Sequence, residues 1–388
     1  MSEQVAIIGI GFSPLQATSP RHSFKEMVFE AAQKAYADAG ISFDQIDSFV
    51  TCAEDFNEGI SIFDEYTPDQ LGCRQKPMHT LSQDGLHGIA DALMQIRAGV
   101  AEIVVVEAHS KASNILTPEW LLDYALDPVY NRPLEFNPHA VAALEMNRFI
   151  HETGITASQC AEVVVKNRLH ARANPLAAYA FETNRTTVVD SSPYLCYPLH
   201  EEEIAKYADG CVVVVVANEA TANKVCQQPV WILGTGFAND SPTIESRCWG
   251  RAEYARLAAQ SAFRQARIKT AHEIDFFEVD DTYAYKELQH LIALGLYDEP
   301  VQAGRAIESG ETQRDGRTPV NASGGALGMG LPLEAHGLYR IVELVLQLRG
   351  QAGERQLSRA KIGVAQSWRG VPTTSGAVVI LGAEPPHG

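Results

Sequence analysis

No apolar run in these 388 residues approaches the roughly 20 that a membrane-spanning helix needs; Cys211 to Ala217 is among the longest. Basic residues are scarce. The 31 Lys and Arg face 48 Asp and Glu, and the formal charge of −17 repels nucleic acid and anionic membranes, excluding both as partners. An anionic ligand would need a local basic cluster. The seven cysteines are scattered and odd in number, with no Cys-x-x-Cys pair, so neither a zinc site nor a disulfide framework is indicated and a reducing cytoplasm is expected. A charged region followed by an apolar core is missing after Met1, so no signal peptide is expected. Gly9-Ile-Gly11 has too few glycines for a dinucleotide fingerprint, which excludes a nicotinamide site.

What is present is a large apolar content, 46%, and a pattern that occurs twice. Val5-Ala-Ile-Ile-Gly-Ile-Gly-Phe12 reads as a buried strand and turn, Phe24 to Ala39 as a helix capped by Gly40, and Ile46 to Val50 as a second strand. Val230-Trp-Ile-Leu-Gly-Thr-Gly-Phe237, Ala258 to Phe263 and Ile274 to Phe277 repeat them in order. Leu93-Met-Gln-Ile-Arg97 is likewise answered by Val345-Leu-Gln-Leu-Arg349, each followed by glycine and a strand. Four matches in one order indicate an internal duplication, and two such halves burying their apolar helices between sheets give a layered α/β architecture. The first half closes with a strand over Gly210 to Ala217. Before it lies an insertion containing Pro118, Pro128, Pro133 and Pro138 and an amphipathic segment from Ala140 to Ala173, suited to a lid or binding element.

The densest glycine stretch is Asn321-Ala-Ser-Gly-Gly-Ala-Leu-Gly-Met-Gly-Leu-Pro-Leu-Glu-Ala-His-Gly337, running into an apolar helix over Leu338 to Leu348. It resembles the Asn-x-Ser-Gly-Gly … Gly-His-Pro-Leu-Gly-Ala-x-Gly loop of thiolases of the sterol-carrier-protein type. Spacing agrees with that family from Val5 to Leu381, which implies a five-layer αβαβα fold from two duplicated halves. The expected units are residues 1–111 with 208–226, an insertion over 112–207, and residues 227–388. The glycine loop would bind coenzyme A or an oxyanion through Ser323, Gly324 and Gly325, or form a tight connection.

The resemblance fails at the reactive positions. In the family frame, Leu331 replaces the catalytic histidine and Ser82, within Thr80-Leu-Ser-Gln-Asp-Gly85, replaces the nucleophilic cysteine. Phe277-Glu-Val-Asp-Asp-Thr-Tyr-Ala-Tyr-Lys-Glu-Leu288 puts Asp280 where a histidine or asparagine binds the thioester oxygen, and an ionised carboxylate would repel an oxyanion. Ser367, or Gln366, stands in the last catalytic loop. Acyl-cysteine chemistry is therefore not expected. Asp84 and Asp280 remain as candidate bases for an aldol or retro-aldol reaction, with Tyr283 and Tyr285 nearby and His79, His87, His109 and His336 as further candidates. The plain reading of Ser82 is a helix N-cap with Asp84 in the first turn, and that of Asp280 and Asp281 a solvated strand end.

Lys166-Asn-Arg-Leu-His-Ala-Arg-Ala-Asn-Pro175 resembles the family's insertion loop, and Lys166, Arg168 and Arg172 would hold coenzyme A phosphates; a solvated helix face is the rival reading. Arg247 and Arg251 are weaker candidates for the nucleotide end. No permanent cofactor and no metal are expected; coenzyme A enters as the thioester of an acyl-coenzyme A ligand. Two functions stay open. One is an enzyme with altered chemistry on acyl-coenzyme A. The other is a catalytically silent subunit, in a homodimer or in a heteromer with a thiolase-like paralogue or a small zinc-binding OB-fold protein.

Overall fold

The computed structural model describes residues 3–58, 68–116, 126–135, 137–241, 243–370 and 374–385; Pro118 lies outside them. The first half contains β1 (Val5–Phe12), α1 (Phe24–Ala39), β2 (Ser48–Cys52), β3 (Met78–Leu81), α2 (Gly85–Arg97) and β4 (Ile103–Ser110). Next come α3 (Pro138–Thr153), α4 (Ala157–Ala171) and a hairpin of β5 (Tyr194–Cys196) with β6 (Leu199–His200), before β7 (Gly210–Asn218). The second half contains β8 (Val230–Asn239), α5 (Glu253–Ala266), β9 (Phe276–Glu278) and α6 (Ala284–Ala293). It ends with α7 (Gly325–Met329), α8 (His336–Leu348), β10 (Ile362–Arg369) and β11 (Ser375–Gly382).

The strands hydrogen-bond in the order β3-β2-β4-β7-β1-β8-β11-β10-β9. In one half β2 is parallel to β4, β4 antiparallel to β7 and β7 antiparallel to β1. The other repeats this with β9, β10, β11 and β8. The halves meet where β1 and β8 share only two residue pairs, Ala6 with Trp231 and Ile7 with Val230. Here the repeated Gly-x-Gly has its physical reason. A Cβ at Gly9 or Gly11 would lie 2.4 or 2.0 Å from the carbonyls of Ala35 or Ala31 in α1. Gly234 and Gly236 face Ala262 and Ala258 of α5 in the same way, at 2.2 and 2.0 Å. The glycines let an alanine-faced helix lie directly on its strand.

Helices α2 and α8 each touch strands of both halves and form the central layer, while α1 and α5 cover the outer faces. Leu86, Ile89 and Leu93 of α2 pack with Leu338, Ile341 and Val345 of α8 and with Val106, Val214 and Val379 from the strands, all buried. Each such side chain contributes roughly 1.5–3 kcal/mol by leaving water. The insertion's amphipathic segment is two helices, because Gly154 ends α3 at φ +72° and Thr156 opens α4 with a capping box to Gln159. Helix α4 packs on α6 and α7, which brings the insertion against the second half.

Candidate functional site

Where α2 and α8 begin, a cavity of about 150 Å³ opens, walled by Asp84, Tyr207, Tyr283, Leu331, Glu334, Trp368 and Arg369. Asp84, not Ser82, is the N-cap of α2. Its Oδ1 accepts the Leu86 N–H at 2.9 Å, and its Oδ2 accepts the Gly337 N–H of α8 at 2.8 Å. One carboxylate thus closes the positive ends of both central helices, the position at which a bound anion would be favoured. Gly337 is required by this approach, since a Cβ there would lie 2.0 Å from Asp84 Oδ1. Ser82 is exposed and does not line the cavity.

Leu331 is held in the cavity wall by its backbone, its N–H donating to Lys206 O at 2.8 Å and its carbonyl accepting from Ala208 N at 3.1 Å. Beside it, Glu334 Oε1 accepts from Asn57 Nδ2 at 2.9 Å and lies 3.3 Å from Arg369 Nη2. Arg369 Nη2 also meets Glu54 Oε2 at 2.7 Å, while its buried Nη1 has no hydrogen-bond partner among the described residues. The Tyr283 hydroxyl is 3.0 Å from His139 Nδ1 of α3. The cavity wall therefore holds Tyr283, whose hydroxyl meets His139 behind it, the carboxylates of Asp84 and Glu334 and the Arg369 side chain, with no cysteine among its described lining residues.

Several expected site residues lie elsewhere. Asp280 is fully buried behind the cavity, with Oδ2 3.0 Å from Arg340 Nη2 and 3.3 Å from His336 Nδ1, so it is not a solvated strand end. Burial alone would raise its carboxyl, but the Arg340 guanidinium and His336 hold it far below the usual carboxylate range. A carboxylate so stabilised is a poor base. Asp281 is also buried and accepts the Ala326 and Leu327 N–H groups at 2.6 and 3.2 Å. Ser367 and Gln366 are buried in β10 and do not line the cavity, whereas the adjacent Trp368 and Arg369 do. Tyr285 is fully buried in the packing of α3 against α6 and does not line the cavity, so only Tyr283 of that pair reaches it.

The expected phosphate-binding cations are mostly internal. Lys166 Nζ donates to Glu287 Oε1 at 2.6 Å and to Val320 O at 3.0 Å. Arg168 is 2% exposed, with Nη1 2.6 Å from Glu202 Oε2 and its guanidinium 4.2 Å from the Phe181 ring. Burial of this segment turns its charges inward. Arg172 alone of the three is largely exposed, 3.5 Å from Glu182. The loop at Ser323, Gly324 and Gly325 is buried too: Ser323 Oγ donates to Glu278 Oε2 at 2.5 Å, and Gly324 abuts Ala171 of α4. It is a tight connection, not an open ligand cradle.

His79 pairs with Asp91 at 3.1 Å, and His109 Nδ1 lies 2.8 Å from Glu107 Oε1 under the Phe24 ring. His336 contacts the Asp280–Arg340 pair, and burial with the adjacent guanidinium lowers its pKa. His87 is lowered chiefly by burial, beside Asp84. Sequence reasoning missed Glu334, Arg369 and His139. Glu334 had a signal: it takes the place of a glycine in the family frame quoted for the glycine loop. Arg369 and His139 had none, because only the fold carries β10 and α3 to one cavity.

Residues 236–383 match the family described as thiolase C-terminal domain-like. An acetyl-CoA acetyltransferase of Methanothermobacter thermautotrophicus is 28% identical over 96% of this chain and 97% of its own. A 17-hydroxy-3-oxo-4-pregnene-20-carboxyl-CoA lyase of Mycobacterium tuberculosis is 28% identical over 98% of this chain and 100% of its own. Among solved structures, the Ltp2-ChsH2(DUF35) aldolase superposes with a TM-score of 0.83 at 24% identity, covering 98% of this chain and 97% of that one. Over nearly its whole length the chain is similar to proteins of the thiolase superfamily, sterol carrier protein 2 of Bos taurus among them at 26% identity over 94% of this chain and 70% of its own.

Proposed function

We propose that the cavity binds the acyl end of a coenzyme A thioester and supports carbon–carbon bond cleavage or formation of the retro-aldol or aldol type, without an acyl-enzyme. The observation that carries this is the wall itself: Tyr283, backed by His139, and the side chain of Arg369 line a space with no thiol among its described lining residues. In the cleavage direction, Tyr283 paired with His139 takes the proton of a β-hydroxyl group. The Cα–Cβ bond then breaks, its electrons pass to the thioester carbonyl as an enolate, and a free aldehyde or ketone leaves. The Arg369 guanidinium stabilises the enolate oxygen, and the proton taken up by the Tyr283–His139 pair returns to Cα, which completes the balance. A lyase on a carboxyl-CoA and an aldolase among the similar proteins support this chemistry. At about 150 Å³ the cavity takes the thioester and a short acyl group, leaving the nucleotide outside.

A silent subunit is the second reading, favoured by the Asp84 carboxylate, which fills the anion-favouring position between the two central helices. The similar Ltp2-ChsH2(DUF35) aldolase joins two proteins in its name, which supports a heteromer for this chain; a small zinc-binding OB-fold protein, a thiolase-like paralogue or a second copy is the partner to test. The test incubates the protein, alone and co-purified with such a partner, with 3-hydroxyacyl-CoA thioesters. Released carbonyl compound, with no acyl adduct in the intact mass, supports the enzyme. An acylated chain would overturn the proposal, and absence of turnover in both preparations would leave the silent subunit.

A further inference from the structure

Three aromatic residues from separate parts of the chain meet in the wall of the acyl-CoA cavity: Tyr207 ahead of β7, Tyr283 at the start of α6 and Trp368 in β10. Two of them are fixed by residues outside the cavity lining. The Tyr283 ring is stacked on that of Tyr285, with centroids 6.2 Å apart, and meets Trp368 edge-on at 6.0 Å. The Lys286 ammonium lies 4.3 Å from the Trp368 ring centroid, and Lys286 is fully buried and paired with Glu145. Tyr207 is held through its backbone, its carbonyl accepting the Tyr179 hydroxyl at 2.7 Å beside its bridge to Leu331. Aromatic side chains have only two rotatable bonds, so a wall anchored in this way keeps its shape.

Size and depth agree with a ring-shaped occupant. An apolar cavity of roughly 150 Å³ is enough for benzene, and this one measures about 150 Å³. Trp368 and Tyr283 are buried, whereas Arg369 and Asn57 are half-buried, so the rings stand deeper than the guanidinium. We infer that the acyl group taken here carries an aryl ring on Cβ, which makes the substrate a 3-aryl-3-hydroxypropanoyl thioester of coenzyme A; this rests on the function proposed above. The ring lies against Trp368 and Tyr207, the β-hydroxyl beside Tyr283 and the thioester towards Arg369. Tyr283 with His139 takes the hydroxyl proton, the Cα–Cβ bond breaks with its electrons passing to the thioester carbonyl, and an aryl aldehyde leaves. The proton returns to Cα and the second product is acetyl-CoA, so no co-reactant is needed.

The test is calorimetric titration of the intact protein with thioesters that lack the β-hydroxyl and so report binding alone: 3-phenylpropanoyl-CoA, 3-cyclohexylpropanoyl-CoA and butyryl-CoA. The phenyl thioester should bind about tenfold or more tighter than butyryl-CoA, and about three- to tenfold tighter than its saturated counterpart, because ring–ring contact adds to the burial of area. Trp368→Leu should bring the phenyl-to-cyclohexyl ratio to about one. Tyr207→Leu, at a half-buried position, should lower the same ratio and serves where the buried Trp368→Leu does not fold. Equal affinity for the phenyl and cyclohexyl thioesters, or a phenyl thioester bound no tighter than butyryl-CoA, would overturn the aryl assignment and leave the acyl-CoA reading standing. No binding of any thioester would overturn both. Benzaldehyde release from 3-hydroxy-3-phenylpropanoyl-CoA should outpace acetaldehyde release from 3-hydroxybutyryl-CoA, and the reverse order would again remove the aryl assignment alone.

Discussion

Asp84 at the start of one central helix accepts the backbone N–H of Gly337 at the start of the other, at 2.8 Å. The two halves of the duplicated fold are pinned together at the floor of the cavity by one side chain. Asp84→Ala removes a helix cap and a charge-assisted bond, and the expected cost is about 2–4 kcal/mol. Asp84→Asn keeps one acceptor and should lose less. Urea unfolding of the three proteins checks the order, and equal midpoints would show that the pin is not structural.

Under the proposed function, Tyr283 should separate the chemistry from binding. Tyr283→Phe removes the hydroxyl that meets His139 and leaves the ring. Turnover on a 3-hydroxyacyl-CoA should fall about a hundredfold or more, with affinity for the thioester held within about twofold. His139→Ala should lower turnover in parallel. A Tyr283→Phe protein with full activity removes this pair from the mechanism.

Lys166 and Arg168 mark how far the sequence could be read. The duplication, the layer order and the central helices were all legible, because periodicity and the repeated Gly-x-Gly report backbone packing directly. The cations looked like a phosphate cluster because spacing on a helix says nothing about which face is buried, and acidic partners such as Glu287 and Glu202 are more than thirty positions distant. Asp280 misled for the same reason, since Arg340 and His336 reach it only in the fold. Lys166→Ala should therefore cost about 3–5 kcal/mol by stranding Glu287. The exposed Arg172→Ala should change stability by less than about 0.5 kcal/mol. Thermal unfolding distinguishes them.

Buried acids set the pH profile. Burial raises Asp281 to about 7, with Glu287 adding to it, and burial raises Glu203 to about 7 and Glu278 in the same direction beside Glu343. For a carboxyl raised on folding, the stabilising contribution is full below its unfolded pKa and is lost as pH rises through the folded value. Stability should therefore fall between about pH 5 and pH 8, and Glu278→Gln should flatten that fall by removing one titrating group. Asp280 works oppositely, its lowered carboxyl withdrawing stability only in strong acid. Unfolding midpoints measured across pH 4 to 9 test the slope, and a rise towards alkaline pH would contradict it.

The proposed function requires an acyl thioester in the cavity beside Leu331. Calorimetric titration with butyryl-CoA, on the parent protein and on Leu331→Trp, tests this most directly. Micromolar binding that the tryptophan abolishes is the predicted result. No heat at millimolar thioester, or the same affinity in Leu331→Trp, would contradict it.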